Sequence, residues 1–164
     1  MRIMGIDPGY AIVGVGLVDY DNVRFSLVEY GAITTPAELP FETRLRQIYD
    51  DMVGLITQYR PDAVAMEQLF FTTNRTTAIA VAEARGVLLL AAEQQGVPVF
   101  NYTPLQVKSA VVGYGKAEKE QVMEMTRRLL CLREVPKPDD TADALAIAIC
   151  HCHASGTALR QFLR

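Results

Sequence analysis

Ile3-Met4-Gly5-Ile6-Asp7-Pro8-Gly9 reads as a short apolar strand over residues 2–6 that runs into a carboxylate and is then broken by Pro8-Gly9. Residues 11–19 and 22–33 are rich in Val, Ile and Tyr and are parted by Asp21-Asn22, so three strands in an antiparallel meander are expected. Between Pro40 and Tyr59, Leu45, Ile48, Met52, Leu55 and Ile56 recur at helical spacing, and Arg60-Pro61-Asp62 stops that helix. Ala63-Val64-Ala65-Met66-Glu67 then repeats the opening device, a buried strand that ends on a carboxylate. Residues 74–95 are rich in Ala, Val and Leu, which predicts a helix apolar on more than one side and sandwiched between neighbours. Gly96 caps it, residues 97–101 form a fifth strand, and Thr103-Pro104 starts a short helix with Thr103 as N-cap. Residues 118–130 read as helix. Beyond Pro136 and Pro138, residues 139–153 form the last long one. This order implies an α/β fold, a mixed five-stranded sheet flanked by helices.

The chain has 164 residues, half of them apolar, which suits a single domain with a sizeable core over residues 1–155. Residues 156–164 are expected to be a short frayed tail, since the end of the chain carries Ser155, Gly156, Arg160 and Arg164. No apolar run is long enough for a membrane span and no signal peptide is evident, so a cytoplasmic protein without membrane partners is expected. Cys131, Cys150 and Cys152 are odd in number, and free thiols are expected in place of a disulfide framework. A net charge of −3 argues against a nucleic-acid binder that works by bulk charge, but it leaves room for a local basic groove.

Chemistry concentrates in acids far apart in sequence. Asp7 and Glu67 end apolar strands, and Asp140 and Asp143 open the last helix on one face. Anions gathered at strand ends and a helix start repel one another unless a divalent cation neutralises them, so the four predict a metal site and chemistry on something anionic. Glu67 is the most telling, because a charge after four apolar residues of a central strand needs a partner. Asp139 is a rival for Asp140, and spacing alone does not choose between them. Lys108, Lys116 within Gly113-Tyr114-Gly115-Lys116, and Lys119 form a basic stretch whose glycines permit close approach to phosphate. Arg127 and Arg128 read as surface ion pairs. Phe70-Phe71 follows Glu67 and precedes the polar run 72–77, which includes Asn74 and Arg75; an exposed ring there could stack on a base, while an inward one would close the core. Cys150-His151-Cys152-His153 is not a zinc site, because consecutive helical residues point about 100° apart.

Taken in order, Gly5-Ile6-Asp7-Pro8-Gly9, Glu67-Gln68-Leu69-Phe70, Ala84-Arg85-Gly86-Val87, Gln106-Val107-Lys108, Gly115-Lys116-Ala117-Glu118-Lys119 and Asp140-Thr141-Ala142-Asp143-Ala144-Leu145-Ala146-Ile147-Ala148 resemble the RuvC family of bacterial Holliday-junction resolvases along residues 1 to about 155. The resemblance implies an RNase H-like fold and a homodimer that nicks two strands of a four-way DNA junction symmetrically, in recombination and repair. It implies Asp7, Glu67, Asp140 and Asp143 as ligands of two Mg²⁺ ions, with Mn²⁺ as a substitute, and it prefers Asp140 to Asp139. Lys119 joins the acids as a catalytic residue. The implied DNA contacts are Phe70, Phe71, Asn74, Arg75, Lys108, Lys116 and Lys119, and the implied partner is a branch-migration motor of the RuvA and RuvB type. An actin-like ATPase would need a second Gly-rich phosphate loop and a longer chain. A relative acting on structured RNA, or a silent junction-binding module, remains a rival that a cleavage assay separates.

Overall fold

Strand alternation decides which side chains meet which helices. The computed structural model describes residues 1–68 and 75–162. The chain forms β1 (Arg2–Asp7), β2 (Ile12–Tyr20), β3 (Phe25–Thr34), α1 (Phe41–Tyr59), β4 (Ala63–Glu67), α2 (Arg75–Gln94), β5 (Val99–Tyr102), α3 (Pro104–Val112), α4 (Lys119–Leu129) and α5 (Asp139–Phe162). The sheet order is β3-β2-β1-β4-β5, with β1, β2 and β3 as the expected antiparallel meander and β4 and β5 added parallel to β1.

Successive strand residues face opposite sides of a sheet, so the sheet separates two apolar cores. Ile3, Val18, Ala63 and Ala65 belong to the core shared with α3, α4 and α5. Met4, Ile6, Val13, Val15, Leu17, Val64 and Met66 belong to the one shared with α1 and α2. Continued by one step, the same alternation carries Asp7 and Glu67 to the α5 side.

Helix α5 lies on β1 and β2 at backbone contact. A Cβ on Gly5 would stand 1.9 Å from the carbonyl oxygen of Ala144, and one on Gly14 would stand 2.0 Å from that of Asp140. On Gly16 it would meet Leu145 Cδ2 at 2.7 Å. Gly14 is the cross-strand partner of Asp7, so the start of α5 is seated directly beside the end of β1. The Thr141 N–H and hydroxyl both donate to the Pro138 carbonyl, at 3.0 and 2.6 Å, which fixes the first turn of α5.

Two expectations change. The last helix does not fray at residue 155 but continues to Phe162. Ser155 Oγ donates back to the Cys152 carbonyl at 2.9 Å, a bond made within the helix, and the good helix formers Ala158, Leu159, Arg160 and Gln161 follow. Helix α2 buries Ala84, Leu88, Ala91 and Ala92 against the sheet and α1, but leaves Ile79 66% and Leu90 51% exposed, so among the described residues of one chain it is covered on one face only.

Replacing Gly14 by Ala forces α5 away from the sheet. Overpacking of this kind costs about 1–3 kcal/mol, and each kcal/mol lowers Tm by about 2–4 °C in a chain of this size. Gly31 has open space where a Cβ would stand. Thermal melts should therefore show a clear loss for Gly14→Ala and little change for Gly31→Ala; equal melting of the two would remove the contact.

A candidate metal and nucleic-acid site at the sheet edge

Asp7 is the last residue of β1 and Glu67 the last of β4, and these strands run parallel with Ile6 in register with Met66. Both carboxylates therefore leave the same edge of the sheet on the same face. The C-terminal ends of parallel strands are where such sheets place ligands. Asp140 and Asp143 come to that edge from the start of α5, held there by the glycine contacts.

Asp7 is pushed up from its ordinary 3.8 to about 8, first by burial and then by the charges of Glu67, Asp143 and Asp140, against a smaller opposing effect of Lys119. Burial also raises Glu67, with Asp143 adding to it and Lys119 opposing. Asp143 is raised by burial as well, partly offset by its hydrogen bond and ion pair with Lys119. Lys119, the first residue of α4, holds Nζ 3.0 Å from Asp143 and 3.7 Å from Asp139. Burial pulls its ammonium down, but the bond to Asp143 and the charges of Asp143, Asp139 and Asp7 outweigh that and leave it raised. Asp139 and Asp140 thus divide: the first faces Lys119, while the second acts on Asp7.

A cavity of about 240 Å³ opens beside these groups, and Glu67, Asp143, Lys108 and Lys119 all line it. Two lysines of the basic stretch thus line one depression with two of the acids. Lys116 lies exposed in the α3–α4 connection and does not line this cavity. Phe70, Phe71 and Asn74 lie outside the described residues, as does the side chain of Arg75, whose backbone opens α2.

The donor set suits a hard divalent cation. All four acids offer oxygen, and burial first, then the charges of Glu67, Asp143 and Asp140 that one ammonium does not balance, push Asp7 up to about 8. As the side chains stand, no three acidic, Cys or His residues among the described residues are close enough together to ligate one ion. The acids sense one another through charge, and Asp143 is turned to Lys119.

Three residues matter here that the sequence reading passed over. Gly14 and Gly16 seat α5, and their only signal was glycine in the middle of a strand, which marks a close backbone approach. Arg85 reaches from α2 to donate to the Glu67 carbonyl at 3.3 Å, and its other arm bonds Asn101 on β5, so it braces the end of β4. Its signal was a cation in the middle of an Ala-rich helix. Arg127 and Arg128 pair with Glu124 on their own helix, as expected of surface ion pairs. In the Cys-His-Cys-His run, Cys150 and Cys152 are buried in the core, His151 bonds the Tyr102 hydroxyl at 2.7 Å, and His153 bonds the Ala110 carbonyl at 3.0 Å.

Residues 3–151 match the family model described as crossover junction endodeoxyribonuclease RuvC. A RuvC crossover junction endodeoxyribonuclease of Brevibacillus brevis is 60% identical over 151 residues, which span 92% of this chain and 91% of that protein. The structure of Thermus thermophilus RuvC in complex with a Holliday junction substrate superposes with a TM-score of 0.92 at 38% identity, covering 96% of each chain. A yeast mitochondrial Holliday junction resolvase, 14% identical with a TM-score of 0.67 over 98% of this chain and 83% of its own, shares the fold.

The raised Asp7 has a signed consequence for stability. A carboxyl that holds its proton more tightly folded than unfolded contributes stability fully present below about pH 4, which is lost as the pH rises through about 8. In chelator at pH 8, Asp7→Asn should raise Tm by at least about 3 °C, an effect of about 1 kcal/mol, and the gain should vanish near pH 4. A divalent cation should raise the wild-type Tm at pH 8 and leave Asp7→Asn nearly unmoved. An Asn variant that melts with wild type at both pH values would contradict the burial and repulsion assigned to Asp7.

Proposed function

The chain belongs to the RuvC family of crossover junction endodeoxyribonucleases, and from the premise that it resolves four-way DNA junctions by cutting them, we propose how its residues divide that work. Asp7, Glu67, Asp140 and Asp143 hold two Mg²⁺ ions, for which Mn²⁺ can substitute. Lys119 and Lys108 meet the scissile phosphate, and Lys116 and Arg75 track the backbone further out. The observation that carries this reading is the gathering of strand-end and helix-start acids beside a cavity lined by both lysines.

When bound, the divalent ions activate water for attack on phosphorus and neutralise charge on the phosphate and the departing 3′ oxygen. The protein's part is placement. Asp7 gives up its proton when a cation displaces it, which makes metal affinity rise with pH. Lys119 is held ready by Asp143 and balances charge that builds on the phosphate. In-line displacement leaves 5′-phosphate and 3′-hydroxyl ends. Phe70 or Phe71 stacks on a base unpaired at the crossover, and Asn74 contacts the DNA.

The exposed Ile79 and Leu90 on α2 support a homodimer built on that helix, and a two-fold pair of sites gives the two symmetric nicks that resolution needs. A branch-migration motor of the RuvA and RuvB type would present the junction, in the cytoplasm. No described helix is long and apolar enough to cross a membrane.

Asp7→Asn, Glu67→Gln and Asp143→Asn should each slow nicking of a four-way junction by about 100-fold or more while gel-shift affinity changes little, because each removes a cation ligand and no phosphate contact. Asp139→Asn should be the mild control. Phe70→Ala should slow cleavage of a fully paired junction, the loss of stacking being about 1–3 kcal/mol, and a junction with an unpaired base at the crossover should recover part of the rate. Undiminished nicking by Asp7→Asn, or faster cutting of structured RNA than of the junction, would overturn the assignment.

A further inference from the structure

On the sheet face opposite the acids, a groove of about 530 Å³ runs between β3 and α1. One wall is six consecutive residues, 29–34, of a strand that among the described residues pairs only with β2; of its outward backbone groups the Thr34 carbonyl accepts from the Gln47 amide at 3.1 Å, and no further strand covers the edge. Edge strands are ordinarily guarded by Lys, Pro or a covering element, and residues 29–34 contain neither Lys nor Pro. The Tyr30 N–H turns instead to the carboxylate of its own neighbour Glu29, at 3.1 Å. The other wall is a stripe of α1 that includes Asp50, Asp51, Gly54, Leu55 and Gln58. Gly31 and Gly54 leave open space where side chains would stand, and Val15, Leu17 and Ile33 form an apolar floor.

The rim has one sign of charge. Glu29, Asp50 and Asp51 are exposed, none of the three makes an ion pair among the described residues, and no Lys or Arg lines the groove. A nucleic acid is repelled from such a rim. We propose that this groove is a docking site for an extended basic segment of a partner protein, added as a strand to the outer edge of β3. Main-chain hydrogen bonds to the edge hold the segment, and alternate side chains, which in a strand share one face, enter the groove. Lys or Arg at those positions lays its aliphatic stem over Gly31, Gly54 and Leu55 and sets its charge among Glu29, Asp50 and Asp51. The site is separate from the nuclease centre and does not rest on the roles given to the acids there.

Fluorescence anisotropy with capped octapeptides tests the proposal on the full-length protein. An octapeptide alternating Lys and Thr should bind at least ten times more tightly than one of the same composition with four Lys followed by four Thr, or than one alternating Glu and Thr. The double variant Asp50→Lys, Asp51→Lys should weaken binding at least tenfold. Gly54→Leu should do the same by filling the groove, and it should fold well because Leu favours a helix interior over Gly. Junction nicking should be unchanged in both variants, and bound peptide should slow hydrogen exchange of amides in residues 29–34. Equal binding of the alternating and block peptides, or unchanged affinity in both variants, would overturn the proposal. Light scattering that shows Gly54→Leu dissociating an oligomer in the absence of peptide would give the groove to a second copy of the chain instead.

Discussion

The close seating of α5 on β1 and β2 is the contact on which the rest of the molecule depends. Gly5, Gly14 and Gly16 remove three side chains from the sheet surface, and the helix backbone comes down into the space they leave. Glycine in a strand gives up packing and adds conformational entropy to the unfolded chain, so each weakens the strand taken by itself. The return is positional. With Asp140 over Gly14 and Gly14 paired to Asp7, an acid at a strand end and acids at a helix start stand at one edge, although more than 130 residues separate them (Asp140 against Asp7, a difference of 133).

Gathering those acids works against stability. Asp7 is pushed to about 8 and Glu67 and Asp143 are raised, so near neutral pH the folded chain takes up proton or cation that the unfolded chain would release. Lys119 relieves part of the repulsion and faces the same cavity as Lys108. Such a surplus of negative charge, with ammonium groups at its border, suits divalent ions that are brought together with a phosphate. The same division of labour explains how a chain of net charge −3 can act on DNA. Under the proposed roles, the acids at the site lower the total and would be masked by a cation, and the lysines beside them are few and local.

Much of this was legible in the sequence because it depends on local periodicity. Strand alternation through Ile3, Gly5 and Asp7, and through Ala63, Ala65 and Glu67, sends both acids to one face, and helical spacing joins Asp140 to Asp143. What spacing left open was the partner of each group. Asp139 and Asp140 differ by one helical step of about 100°, and only the neighbours show that Asp139 faces Lys119 while Asp140 acts on Asp7. Gly14 and Gly16 carry only the local signal of glycine within a strand, because their purpose lies in a helix far along the chain. Arg85 lay in a motif without a role, since the Glu67 carbonyl it binds is a tertiary neighbour. The outer face of α2 read as buried because composition reports apolar character and not what covers it. Continuation of α5 to Phe162 was missed because Ser155 and Gly156 suggest fraying, whereas the Ser155 hydroxyl bonds back within the helix.

The most direct measurement is anomalous diffraction from crystals soaked in Mn²⁺. The account predicts manganese density touching Asp7, with oxygens of Glu67, Asp140 and Asp143 completing the ligands, and loss of that density in Asp7→Asn. Manganese bound away from Asp7, or held by Asp139 with Asp140 turned aside, would contradict it.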